Sequence, residues 1–155
     1  MDLDGEVIEG YQLSIKHKHS LVRKLHTSRE ISEEDKKKAL QELSEMDKSD
    51  WLEKTSYFSR AALPDLATKR DLWRQYFDED LEWSYHNFVM SFQGFNIISQ
   101  RDILVEFEDK FFERILDGFK KKGRFVAEAM YRFLSPEVNG TAEVVEKFKI
   151  LLAKV

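Results

Sequence analysis

Proline occurs twice in this sequence, at Pro64 and Pro136, and both stand between segments whose apolar residues recur at helical spacing. Proline lacks the backbone N–H and its ring clashes with the preceding turn, so the two residues read as punctuation between helices. No Asn-Gly or Asp-Gly turn separates alternating apolar runs; Asn139-Gly140 and Asp117-Gly118 both sit between helical patterns. Strands therefore lack their usual hairpin signals, and an all-α fold is expected.

The first helix is expected from about Tyr11 to Leu25, with Tyr11, Ile15, Val22 and Leu25 along one stripe. Ser32-Glu33-Glu34-Asp35 has the form of a capping box and opens a second, which turns Ala39, Leu40, Leu43 and Met46 inward. A third begins near Ser49 or Asp50, puts Trp51, Thr55, Phe58 and Ala62 on one face, and stops at Pro64. Asp65 caps a fourth bearing Leu66, Leu72, Trp73, Tyr76 and Phe77. The fifth carries Tyr85, Phe88, Val89 and Phe92 at offsets of 0, 3, 4 and 7, with Gly94 just beyond it. Ser99-Gln100-Arg101-Asp102 repeats the capping signature and opens a long helix with Ile103, Phe107, Phe111, Ile115 and Phe119, whose exit Gly118 and Gly123 bracket. A seventh has Phe125, Val126, Ala129, Met130, Phe133 and Leu134, and an eighth has Val144, Val145, Phe148, Leu151, Leu152 and Val155.

Seven or eight helices of roughly 12 to 20 residues with short connections predict a superhelix of antiparallel helical hairpins. No fixed-period motif is present, so the expected form is a degenerate stack resembling HEAT or armadillo repeats, one domain over residues 1–155.

Composition narrows the function. Residues are 42% hydrophobic and 13% aromatic, enough for one sizeable core, and 35% charged residues can cover it. A net charge of -4 argues against nucleic-acid binding through a positive field. The absence of cysteine excludes disulfides, thiol catalysis and Cys-ligated zinc, and fits the cytoplasm. The acidic start Met1-Asp2-Leu3-Asp4-Gly5-Glu6 has no apolar signal region, and no apolar run approaches the roughly 20 residues of a membrane span, so no membrane partner is expected.

Catalytic motifs are missing. A zinc-peptidase helix needs two histidines four apart beside a glutamate; His17, His19, His26 and His86 supply no such pair and read as solvent-facing. No nucleophile elbow, phosphate loop or dinucleotide fingerprint occurs. Glu33-Glu34 and Asp78-Glu79-Asp80 fall in capping or loop contexts, and Lys120-Lys121-Lys122 with Arg124 reads as a solvated helix junction. Neither a catalytic nor a metal-binding residue is expected in this chain. The Phe107, Phe111, Phe112, Ile115 and Phe119 stripe reads as core.

Leu63-Pro64-Asp65 followed by Lys69 and Trp73 is similar to the "LPD…K…W" pattern in the C-terminal helical domain of aminopeptidase N-like zinc aminopeptidases, of the puromycin-sensitive or alanyl type. Phe92 with Gly94-Phe95 resembles that family's "GF", Gln100 its glutamine before a Leu-rich turn, Phe111-Phe112 its "YF" pair, and Phe133-Leu134 before Ser135-Pro136 its "LFP" close. Upstream, Ile31-Ser32-Glu33-Glu34 and Asp47-Lys48-Ser49-Asp50 resemble two family junctions. The likeness spans about Leu21 to Leu134 and rests on the order of short, packing-related marks. Asn96-Ile97-Ile98-Ser99 departs from the pattern by lacking the Trp and Pro of many relatives.

The resemblance implies an α-superhelix closing over a separate zinc-bearing catalytic domain, whose HExxH motif this chain does not contain. The implied role is a non-catalytic wall that limits access to the active-site chamber and contacts peptide substrates. The implied partners are the enzyme's own catalytic domain and peptides, and zinc would belong to that other domain. Trp83, His86, Phe95, Gln100 and Arg101 are the expected peptide-facing residues. The alternative is a free-standing helical-repeat scaffold whose concave face binds a partner protein.

Overall fold

The structure, a computed structural model, describes residues 12–78, 80–136 and 140–154. Among these residues there is no strand, and eight helices of 11 to 14 residues form the fold: α1 (Ile15–Thr27), α2 (Glu33–Met46), α3 (Asp50–Ala61), α4 (Leu66–Tyr76), α5 (Tyr85–Phe95), α7 (Glu108–Lys121), α8 (Arg124–Leu134) and α9 (Ala142–Leu152). A one-turn helix, α6 (Arg101–Leu104), sits between 3-10 turns at Ile98–Gln100 and Val105–Phe107. The long helix expected from Ser99 onward is thus divided. Gln100 makes no side-chain cap there, because its amide is turned inward to other helices.

Six of the eight main helices start at a side-chain cap; α7 and α8 do not. Ser14, Ser32, Ser49, Asp65, Ser84 and Thr141 accept from first-turn N–H groups at 3.4, 3.1, 3.2, 2.7, 3.2 and 3.2 Å, satisfying donors that a helix cannot pair internally. Ser14, Ser49 and Ser84 stand at intervals of 35 residues, a spacing carried by caps alone and so invisible as a motif.

The helices form two layers of an all-α repeat architecture. In one, α1 packs on α3, α3 on α5 and α5 on α8; α2, α4 and α7 pack against this row from the other layer, and α9 on α7. The row is parallel: Asn87 near the start of α5 donates to Glu53 near the start of α3, whereas Asn96 at the end of α5 reaches the last carbonyls of α8. Within the α3–α5 contact Gly94 lies in the last turn of α5, not beyond it as its position in the sequence pattern suggested.

The core divides in two. Around α1 and α2, Val22, Ala39 and Leu43 are buried with Leu21, Leu25, Leu40, Met46 and Leu52 against them. The larger cluster centres on aromatic rings, with Phe95 and Phe107 at 5.1 Å, Trp73 and Phe107 at 5.3 Å, and Tyr76 and Phe92 edge to face at 4.8 Å. Burial holds the Tyr76 phenol well above its ordinary value, and its hydroxyl pairs with Ser91 Oγ at 2.6 Å. No helix among the described residues is long and apolar enough to cross a membrane.

Candidate functional site

Four parallel helices put four carboxyl ends side by side, each with unpaired carbonyls and a partial negative charge. Three buried or half-buried polar side chains tie these ends together in order. Gln100 Nε2 donates to Thr27 O of α1 at 3.2 Å and to Ala62 O after α3 at 2.8 Å. Lys69 Nζ donates to Ala61 O of α3 at 2.6 Å and to Gly94 O and Phe95 O of α5 at 3.3 and 2.7 Å. Asn96 Nδ2 donates to Phe133 O and Ser135 O of α8 at 3.1 and 3.0 Å. Lys69 is fully enclosed; burial pushes its amine down to about 7, while the carbonyl ends of two helices surround it with acceptors.

The opposite, amino-end rim has a different character. The first turns of α1, α3, α5 and α8 expose Ile15, Trp51, Tyr85 and Phe125 at 44%, 53%, 45% and 73%, although each belongs to the apolar pattern of its helix. The heads of adjacent helices meet there in pairs. Tyr85 and Phe125 approach at 6.4 Å between ring centres, and Ile15 and Trp51 line one cavity of about 600 Å³ with Lys16, His19, Ser20, Arg23, Asp47 and Ser49.

Below that cavity lies a relay of side chains from three elements. Arg23 Nε and Nη2 donate to Thr55 Oγ1 at 3.1 and 3.0 Å, so this hydroxyl, already accepting twice, gives its own hydrogen to His19 Nδ1 at 2.8 Å. His19 Nε2–H then donates to Asp47 Oδ2 at 2.7 Å. Ser49 fixes Asp47 further through its backbone N–H at 2.9 Å and its hydroxyl at 2.8 Å, and these bonds, with that from His19, hold the Asp47 carboxyl below its usual range. A hydroxyl, an imidazole and a carboxylate in sequence have the makings of a nucleophilic site. Here the hydroxyl is the wrong member to attack: Thr55 is completely buried and its lone pairs face a guanidinium.

The structure corrects the reading of the histidines. His19 and His26 are buried, the second with Nδ1 against Val22 O at 2.8 Å and its ring pushed toward the neutral form by burial; His17 and His86 are exposed. No group of three or more His, Cys, Asp or Glu among the described residues could hold a metal ion.

The five residues expected to face peptide are not brought together. Phe95 and Gln100 are enclosed among this chain's own side chains at the carboxyl-end face. Arg101, next to them, is exposed. Trp83 is half-buried, packed on Tyr57 at 4.7 Å and Phe88 at 5.3 Å, while His86 is exposed on the amino-end rim with its ring 5.6 Å from that of Tyr85. The sequence carries no signal for a polar site at Arg23, Thr55 and Trp51 beyond the four-residue spacing of Trp51 and Thr55 on α3, since Arg23 lies on α1. Comparison with protein-family models and with curated proteins finds no match to this chain.

Proposed function

We propose that this chain is the non-catalytic C-terminal helical wall of an aminopeptidase N-like zinc aminopeptidase of the cytoplasm, with the zinc and its catalytic chemistry in a separate domain. The observation that carries this reading is the duty of the residues behind the resemblance. Leu63-Pro64-Asp65 ends α3 and caps α4, Lys69 joins α3 to α5, Trp73 packs on Phe95 at 5.8 Å, Gly94 admits α3, and Gln100 joins α1 to α3. Marks that are short individually are thus coupled in one polar and steric frame, which makes their shared order more specific than any single one.

In this role the wall binds remote parts of a peptide and shapes access to the chamber, so it affects turnover without touching the reacting bond. His86 and the adjoining Tyr85–Phe125 pair offer aromatic surface for such contacts on the amino-end rim, and Arg101 offers a cation on the other.

The test is immunoprecipitation from source cells with an antibody raised against this chain. The captured polypeptide is expected to hydrolyse aminoacyl arylamides, to lose that activity to a chelator and to regain it with zinc, while the purified 155-residue chain neither hydrolyses them nor retains zinc. A captured polypeptide without chelator-sensitive activity would overturn the reading in favour of a scaffold.

A further inference from the structure

Arg23 differs from the half-buried cations Lys54, Lys110 and Lys147. Each of these faces a carboxylate at 2.6 Å, Asp50, Glu106 and Asp109 respectively, but Arg23 has no carboxylate partner among the described residues. Its guanidinium lies between the rings of Trp51 and Phe58, at 5.9 and 5.6 Å, and burial lowers its proton affinity without any opposing anion. Thr55 takes the side edge of the guanidinium, one hydrogen from Nε and one from Nη2. The end-on edge, an N–H each from Nη1 and Nη2, has no acceptor among the described residues. A planar fork of this kind matches the two oxygens of a carboxylate.

The surroundings select among anions. The cavity of about 600 Å³ that Arg23 lines has apolar surface from Ile15 and from the half-exposed indole of Trp51, with Lys16, Ser20 and Ser49 around it. Asp47 also lines it and, bonded to His19 and Ser49, stays ionised. A carboxylate on the wall repels a dianion more than a monoanion.

We propose that the cavity between the amino ends of α1 and α3 binds a monocarboxylate with an apolar or aromatic body, the carboxylate on the end-on fork of Arg23 and the body against Trp51 and Ile15. This binding site is independent of the aminopeptidase reading: it needs only the α1–α3 pair. The relay through Thr55, His19 and Asp47 orients the guanidinium, so the site is formed before the ligand arrives.

The test titrates the chain with 3-phenylpropionate and follows the Trp51 indole N–H by NMR, assigned by its loss in Trp51→Phe. A saturable shift is expected for 3-phenylpropionate, with at least tenfold weaker binding of the neutral 3-phenylpropionamide and of inorganic phosphate. Arg23→Gln is expected to weaken the carboxylate at least tenfold. Should Arg23→Gln fail to fold, Ser20→Trp, an exposed position on the cavity wall, is expected to block binding while the fold is kept. The absence of a saturable shift, equal binding of the acid and its amide, tighter binding of phosphate, or unchanged affinity in the folded Arg23 or Ser20 variant would each overturn the proposal.

Discussion

Gly94 and the Phe58 carbonyl meet with no space for a side chain between them: a Cβ on Gly94 would stand 2.3 Å from Phe58 O and 3.2 Å from the Ala61 Cβ. The contact is between backbone and backbone, so no rotamer change can relieve it, and α3 and α5 would have to separate. Gly94→Ala is therefore expected to destabilise the chain by at least about 2 kcal/mol, against the small gain that alanine brings to an unconstrained helix position. Gly123, where an added Cβ meets nothing within 4 Å, is the internal control: Gly123→Ala is expected to cost less than Gly94→Ala in urea unfolding.

Lys69 makes stability depend on pH in a direction opposite to that of a lysine held in an ion pair. Its folded value near 7 lies below the ordinary 10.5, so between these values the unfolded chain holds a proton that the folded chain has released. Unfolding then takes up a proton, and this contribution makes stability rise with pH from about 7 to about 10.5. The neutral amine keeps two donors for its two short bonds, to Ala61 O and Phe95 O, and the 3.3 Å bond to Gly94 O is the one released. Lys69→Met is expected to abolish the rise. It also leaves buried carbonyls unpaired, and is expected to lower stability by about 2 kcal/mol at pH 9, where the wild-type amine is neutral. Denaturant unfolding of both proteins across pH 6 to 10 checks both statements.

The all-α class and several helix starts were legible because their causes are local. Ser32 and Asp65 cap the helices that their positions predict, since a cap needs only its own next three residues. Ile15, Trp51, Tyr85 and Phe125 continue the apolar period of their helices and yet are exposed, because periodicity belongs to one helix and says nothing about where its neighbours end. His19 was unreadable for a similar reason: Thr55 and Asp47, which make its burial tolerable, lie 36 and 28 residues away. The same holds for Gln100, whose acceptors Thr27 and Ala62 precede it by 73 and 38 residues.

Asp65 couples a helix cap to acid sensitivity. Its carboxylate accepts from Thr68 N at 2.7 Å, and the bonds from Thr68 hold its carboxyl below the ordinary 3.8. A depressed carboxyl stabilises the fold above its unfolded value and loses that contribution as pH falls through the folded value, here below 3.8. Asp65→Ala is expected to cost about 1 kcal/mol at pH 7. Asp65→Asn keeps an acceptor, is expected to cost less, and removes this part of the acid dependence; urea midpoints at pH 7 and pH 3 separate the two effects.

Thr55 carries the polar relay, and its two ends can be separated by substitution. Thr55→Val preserves shape but removes an oxygen that receives two Arg23 hydrogens and gives one to His19, all within a site closed to solvent at Thr55 itself. Unpaired donors at that depth cost more than the bonds they replace, so a loss of about 2 to 3 kcal/mol is expected. Thr55→Ser retains the hydroxyl and loses one methyl group, which is expected to cost about 1 kcal/mol. The order of the two variants in denaturant unfolding is the reading that matters. Valine less stable than serine means the hydroxyl holds α1, α3 and the α2–α3 junction together, whereas serine less stable than valine would mean that methyl packing dominates and that the relay merely occupies the space.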